Sequence, residues 1–270
     1  RGYGHVDARK EAAAAQAAER ERENEHPSVD GEKAGISVLC NNKVQLKAAL
    51  DYEKVDRIYY PLENGREDMV QVFEMVKERH KAFFVAMPYI LRDDMKAKCE
   101  GMLKELQGLK VDGYLVRNME SLLLVRQLDP DKMVIADYTM YRMNDAASDF
   151  YDRFTGSWTL PVELNKKELA HLNTEKAEWV IYGRIPMMVS AQCLMKTCDR
   201  CRGEMGDHVL TDRKANKMTV RCVCPFCYNL IYNPMPLDLI WEAREDRDVI
   251  SAKFHRLIFT TENEDEVRAV

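Results

Sequence analysis

The sequence lacks any apolar stretch near the roughly 18 residues a membrane span needs, so no transmembrane helix is expected to organise it. It has no Gly-rich GxGxxG after a strand-like run, which removes the usual dinucleotide loop of an open α/β sheet. HExxH and GxSxG are missing as well, so neither the zinc-protease helix nor the nucleophile elbow is available. Histidine is scarce, at six residues (His5, His26, His80, His171, His208 and His255). Positive charge is not in excess: 40 Lys and Arg face 45 Asp and Glu, a net charge of -5. No global field would draw nucleic acid to such a chain, which leaves room only for a local basic patch. The chain opens on Arg1 without a signal-peptide pattern and reads as a piece of a longer protein.

What is present fits one large soluble domain. The 270 residues, 46% hydrophobic and 31% charged, suffice for a (β/α)8 barrel, which takes about 250. Eight cysteines stand out, and six of them (Cys193, Cys198, Cys201, Cys222, Cys224, Cys227) fall within residues 193–227. A disulfide scaffold would spread them through a small secreted chain. Clustering in a large, Met-rich chain reads as metal binding in a reducing cytosol. Cys40 and Cys99 lie in an apolar strand and a helical stretch, where cysteine serves as a small hydrophobe.

Residues 1–34 differ from the rest. Glu11-Ala-Ala-Ala-Ala-Gln-Ala-Ala-Glu19 and the alternating Arg and Glu after it offer almost nothing large to bury, so a solvated helix or linker from an upstream domain is expected. From residue 35 short apolar runs alternate with helical spacing. The runs are Ile36–Leu39, Arg57–Tyr60, Ala82–Ala86, Gly113–Val116, Met133–Ala136, Trp158–Glu163, Trp179–Tyr182 and Phe254–Thr260. Near-continuous apolar strands are buried on both faces, which means a parallel sheet under helices. Eight such units predict an α/β fold of the (β/α)8 TIM-like kind over residues 35–270, with a doubly wound sheet as the alternative.

The alternation breaks once, after strand seven, where roughly fifty residues are no ordinary βα loop. This Cys-rich insertion, taken as 190–236, falls on the barrel face where active sites are built. Cys198/Cys201 and Cys224/Cys227 have CxxC spacing, twenty-two residues apart, with a hairpin from Val209 to Val220 between them. Such spacing lets two sulfurs face one metal. Two spare cysteines leave both zinc and an iron–sulfur cluster open, because both accept four thiolates. Seven Lys or Arg against four Asp or Glu in 193–227, with Phe226 and Tyr228, leave an anionic partner such as RNA possible. A cysteine nucleophile paired with His208 is the hydrolytic reading. A barrel merely stapled by its metal is the non-catalytic one.

Certain runs are familiar: Tyr182-Gly-Arg-Ile-Pro-Met-Met-Val-Ser-Ala-Gln-Cys193, Leu210-Thr-Asp-Arg-Lys214, Cys227-Tyr-Asn-Leu-Ile-Tyr-Asn233-Pro-Met-Pro-Leu237, Pro161-Val-Glu-Leu-Asn165 and Phe259-Thr-Thr-Glu262. With these the chain resembles the peptidase U32 family, and more narrowly the C-terminal barrel of its long, collagenase-like bacterial members. The resemblance implies a cytoplasmic bacterial protein, an upstream U32 barrel as partner, and no membrane. It carries a peptidase label, yet relatives hydroxylate RNA bases or act in oxygen-independent ubiquinone hydroxylation, some with a [4Fe–4S] cluster on four cysteines. By position those would be Cys193, Cys201, Cys224 and Cys227, with Cys198 or Cys222 as substitutes. Pro234 stands where the family pattern has serine. Glu163 and Asn165 after strand six, Arg184 after strand seven, and Asp137, Tyr138 and Asn144 after strand five are candidates for lining the substrate cavity. A salt bridge to Glu163 is the structural alternative for Arg184, a structural hydrogen bond that for Glu163 and Asn165. The Asp212-Arg213 pair is expected to fix the hairpin.

Overall fold

The computed structural model describes residues 34–245 and 250–270, so the N-terminal connector lies outside the described residues. Seven strands follow one another in parallel: β1 (Gly35–Cys40), β2 (Val55–Pro61), β3 (Ala82–Ala86), β4 (Gly113–Val116), β5 (Met133–Ala136), β6 (Ser157–Thr159) and β7 (Ala177–Gly183). The sixth strand stops at Thr159, short of the Glu163 its sequence predicts. Between strands run α1 (Lys43–Leu50), α2 (Arg66–Glu78), α3 (Asp93–Leu106), α4 (Met119–Leu128), α5 (Asp145–Tyr151) and the short α6 (Lys166–Leu169). Asparagine starts four of these helices. The side chains of Asn42, Asn118, Asn144 and Asn165 each accept a first-turn amide hydrogen, satisfying donors the helix leaves open.

After β7 the chain leaves the barrel and builds a second sheet. It comprises β8 (Pro186–Ser190), a four-residue helix α7 (Leu194–Thr197), β9 (Gly206–Thr211), β10 (Lys217–Val223) and β11 (Tyr228–Tyr232). The strands are antiparallel in the order β8-β11-β10-β9. The second sheet thus begins at Pro186. The hairpin turn is fixed by Asp212 alone. Its carboxylate accepts from the Lys214 and Asn216 amides at 2.7 and 2.9 Å, while Arg213 points to solvent. A two-residue strand, β12 (Leu237–Asp238), then pairs antiparallel with the end of β7, and α8 (Ile240–Glu245) follows. The last barrel strand, β13 (Phe254–Phe259), lies between β1 and β7, and β6 pairs with the start of β7. The eight parallel strands therefore close into the expected (β/α)8 barrel, and α9 (Glu264–Ala269) packs after it.

Period-two alternation sorts each strand into two cores. Outward residues such as Val38, Cys40, Ile58, Phe83, Val85 and Val134 pack under the helices with Leu46, Val72, Cys99 and Leu122. Inward residues Leu39, Tyr59, Phe84, Leu115, Ile135, Val180 and Ile258 fill the lumen. Cys40 and Cys99 are buried members of the outer core, and burial raises both thiols, Cys99 to about 12.

The chain leaves β7 through Gly183, whose φ of +150° suits only glycine. A Cβ there would stand 2.7 Å from both the Cβ and the carbonyl oxygen of Ile258 on β13. We expect Gly183→Ala to cost about 2–4 kcal/mol, the sum of backbone strain and overpacking, read as a lowered urea midpoint.

Candidate functional site

The insertion gathers thiols from three segments at the C-terminal mouth of the barrel. Cys193 ends the loop after β8 and opens α7; it is buried, and its carbonyl accepts from the Thr197 hydroxyl at 2.9 Å. Cys201 is exposed in the loop that follows. Cys224 and Cys227 bracket the tight turn joining β10 to β11. The Cys227 amide donates to the Cys224 carbonyl at 3.3 Å, and Cys227 takes a φ of +54°. That turn is pinned to the barrel, because Phe226 is buried and Lys98 of α3 donates to the Pro225 carbonyl at 2.8 Å.

The thiols act on one another's charge. Burial raises the Cys224 thiol, and the Cys193, Cys201 and Cys227 thiols push it further up. Cys224 itself donates to the Glu204 carbonyl at 2.8 Å. Cys222, on the buried face of β10, is pushed up to about 11 by burial and by Cys193 and Cys224. Cys198 stands exposed at the end of α7. All eight cysteines are free thiols. Among the described residues no three His, Cys, Asp or Glu side chains take the arrangement of a single metal-ion site. A lone tetrahedral zinc would draw its sulfurs to about 3.8 Å from one another, given Zn–S bonds of about 2.3 Å. An all-thiol donor set suits a soft, thiophilic group.

Beside the thiols the second sheet roofs a narrow cleft with a cavity volume of about 20 Å³, room for about one water. Its floor is the strand ends: Leu39, Glu63, Arg117, Ile258 and Thr260; its roof is Arg221, Val223, Leu230 and Tyr232. Glu63 lies in a 3-10 turn (Leu62–Asn64) directly after β2 and is only 7% exposed. Its Oε1 accepts from the Tyr228 hydroxyl at 3.3 Å, and its Oε2 has no partner. Burial raises this carboxyl, while Arg117 and the Tyr228 hydroxyl act against the rise. Tyr228, the residue after Cys227, also takes the Tyr89 amide at 3.1 Å. The cysteine turn and the cleft carboxylate thus share one hydroxyl.

Under the cleft runs a buried ladder of charge. Glu178 takes Arg57 at 2.5 Å and Arg256 at 2.6 Å, Arg256 reaches Asp137 at 2.8 Å, and Asp137 holds Arg117 at 3.0 Å. Asp137, expected to line the cavity, is thereby spent between two arginines, and Tyr138 is buried with its hydroxyl 3.1 Å from that of Tyr89. Asn144 caps α5. Asn165 caps α6 in a reciprocal box with Glu168, so the structural hydrogen bond describes it. Glu163 is exposed, and the partner of Arg184 is Glu262 at 3.5 Å instead of Glu163. Arg184 also donates to the Pro234 carbonyl. His208, on β9 opposite Val220, hydrogen-bonds no thiol among the described residues.

Glu63, Arg117 and Arg221 are what the sequence reading missed. The available signal was a carboxylate immediately past a barrel strand, Pro61-Leu62-Glu63, a position that faces the mouth.

Fold and site define an α/β protein, a (β/α)8 barrel whose mouth is roofed by a cysteine-bearing antiparallel sheet. Residues 57–262 match the model of Peptidase family U32, and the chain belongs to that family. In architecture it is similar to the U32 peptidase Mk0906, at 14% identity and a TM-score of 0.52, covering 88% of this chain and 98% of that one. It is also similar to the Bacillus cereus spore cortex-lytic enzyme SleL, at 7% identity and a TM-score of 0.45, covering 89% and 74%. No curated protein matches the sequence. No helix among the described residues is long and apolar enough to cross a membrane.

Proposed function

We propose that this chain is the cluster-bearing barrel of an iron–sulfur-dependent modification enzyme, with Cys193, Cys201, Cys224 and Cys227 as ligands of a [4Fe–4S] group and an RNA base as the class of substrate. What supports the reading is the clustering of six free cysteines in the one excursion beside the barrel mouth, where the Cys193, Cys201 and Cys227 thiols all push up that of Cys224. When bound, such a group supplies one-electron chemistry. The chain's own residues bind and orient. Arg117 and Arg221 offer donors, Glu63 offers an acceptor, and the second sheet keeps bulk water from the floor of the cleft. Eight free thiols suit a reducing cytoplasm, and the connector at 1–34 suits an upstream U32 barrel as partner.

The competing reading is hydrolysis of peptides, which the name of the Mk0906 structure carries. Against it, His208 activates none of the clustered thiols by a hydrogen bond, and the sequence holds neither HExxH nor GxSxG. Nucleosides from RNA of cells lacking this gene separate the two. We expect one species heavier by a single oxygen to vanish, to return with the wild-type gene, and to stay absent with Cys224→Ser. An unchanged nucleoside profile, together with peptide cleavage by metal-free protein, rejects the proposal.

A further inference from the structure

The loop that carries Cys193 is held by a polar row in the second sheet. Ser190 on β8 lies opposite Asn229 on β11, and Asn229 lies opposite Cys222 on β10. Residues paired across antiparallel strands put their side chains on the same face, so the three form one row. An asparagine is unexpected there. The other residues of β11 are Tyr228, Leu230, Ile231 and Tyr232, and Asn229 is only 3% exposed. Asparagine is a poor strand former, and burying an amide costs free energy unless it is hydrogen-bonded. The bond it makes goes to the chain just ahead of the cysteine. Asn229 Nδ2 donates to the Gln192 carbonyl at 2.8 Å. Ser190 braces the same residue: its hydroxyl donates to that carbonyl at 3.2 Å and accepts from the Gln192 amide at 3.3 Å.

On the far side of Cys193, the Thr197 amide and hydroxyl donate to the Cys193 carbonyl at 3.0 and 2.9 Å. The carbonyls just before and just after the Cys193 α-carbon are therefore both tied. Of the four thiols assigned above as ligands, Cys193 is the buried one; Cys201 is exposed, and Cys224 and Cys227 are half-buried. A ligand has to stand within about 0.5 Å of its working position, and the neighbours that fix it matter nearly as much as the ligand itself. We propose that Asn229, braced by Ser190, is the positioning residue for Cys193: it locks the Gln192 carbonyl and so sets where the thiol stands. What the thiol would hold rests on the cluster reading; the clamp itself does not.

Alkylation of the whole chain, prepared reduced and free of iron, tests the clamp. A pulse of iodoacetamide followed by peptide mass spectrometry reads each cysteine separately. In the wild type Cys193 reacts slowly and the exposed Cys198 fast. Asn229→Leu, close in size but without a donor, speeds Cys193 about threefold to tenfold, the gain in loop opening that one lost hydrogen bond allows. Cys40 and Cys99, in the outer core of the barrel, stay slow. Ser190→Ala, which removes the longer bond, speeds Cys193 about twofold to fivefold and decides the matter if Asn229→Leu fails to fold. An unchanged Cys193 rate overturns the assignment. So does an equal rise at Cys40 and Cys99, because Asn229 would then only stabilise the fold. Protein reconstituted with iron and sulfide gives the second readout: Asn229→Leu loses iron to a chelator faster than the wild type, and equal rates of loss also overturn the assignment. A wild type that takes up no iron rejects the cluster reading alone, since the alkylation comparison is made without iron.

Discussion

Replacing Glu178 by glutamine lowers the unfolding free energy by about 3–5 kcal/mol, measured as a fall in the urea midpoint with an unchanged slope. Glu178 is fully buried near the start of β7, and both its oxygens are saturated. Oε1 accepts from Arg57 and from the Tyr59 hydroxyl, each at 2.5 Å; Oε2 accepts from Ser37 at 3.0 Å and from Arg256 at 2.6 Å. Glutamine keeps the shape but removes the charge and turns a donor toward a guanidinium. Arg117 and Arg256 would then share Asp137, and Arg57 would lose its carboxylate partner. Burying an uncompensated cation is far costlier than losing one hydrogen bond. A domain holds only about 5–15 kcal/mol in all, so the loss is a large share of it. The pH dependence has a defined sign. Burial works to raise the Glu178 carboxyl, but Arg256 and Arg57 outweigh it and hold the group below its usual value. Its contribution is therefore present above the unfolded-state value, about pH 4.3, and is lost as pH falls through the lower folded one. In the wild type the urea midpoint falls in acid; in Glu178→Gln that part of the fall disappears.

Why this ladder went unread, while the barrel around it was legible, is a matter of what each pattern encodes. Runs such as Ala82–Ala86 and Gly113–Val116 are apolar on both faces and bounded by helical spacing, and local pattern alone fixes them as buried parallel strands. A single charge inside such a run carries no local mark of its partner. Arg57, Glu178 and Arg256 come from three strands, and only barrel closure brings them within bonding distance. The inward period does point to them: Arg57 and Tyr59, Glu178 and Val180, Arg256 and Ile258 alternate on the lumen face. The second sheet was half legible. The hairpin of β9 and β10 shows alternating residues around a polar turn, whereas β8 and β11 are paired across an interval of roughly forty residues that no local signal announces. The CxxC spacing located the thiols, yet the cleft beside them needs strand ends, the β10 face and Tyr228 together, which is a property of the closed fold.

The thiol arrangement yields the other large effect. Protein prepared without oxygen should be brown and hold iron with acid-labile sulfide, and Cys224→Ser should lose both almost completely. Cys224 is the thiol on which the other three act, and a cluster that loses one of four thiolates is exposed to solvent and hydrolysis at that corner. Cys198→Ser, at an exposed position on the end of α7, should keep its full iron content. Cys222 decides the ligand set. It is buried and close enough to Cys193 to feel its charge, so its substitution should shift the visible absorption by altering what surrounds Cys193, while the iron count stays unchanged. The barrel itself should survive every one of these substitutions, because neither its core nor its charge ladder includes any of the clustered cysteines; far-ultraviolet circular dichroism reads that directly. A colourless protein with one zinc per chain and no sulfide would defeat the cluster reading. Loss of iron in Cys222→Ser with retention in Cys201→Ser would keep the cluster but exchange one of its ligands.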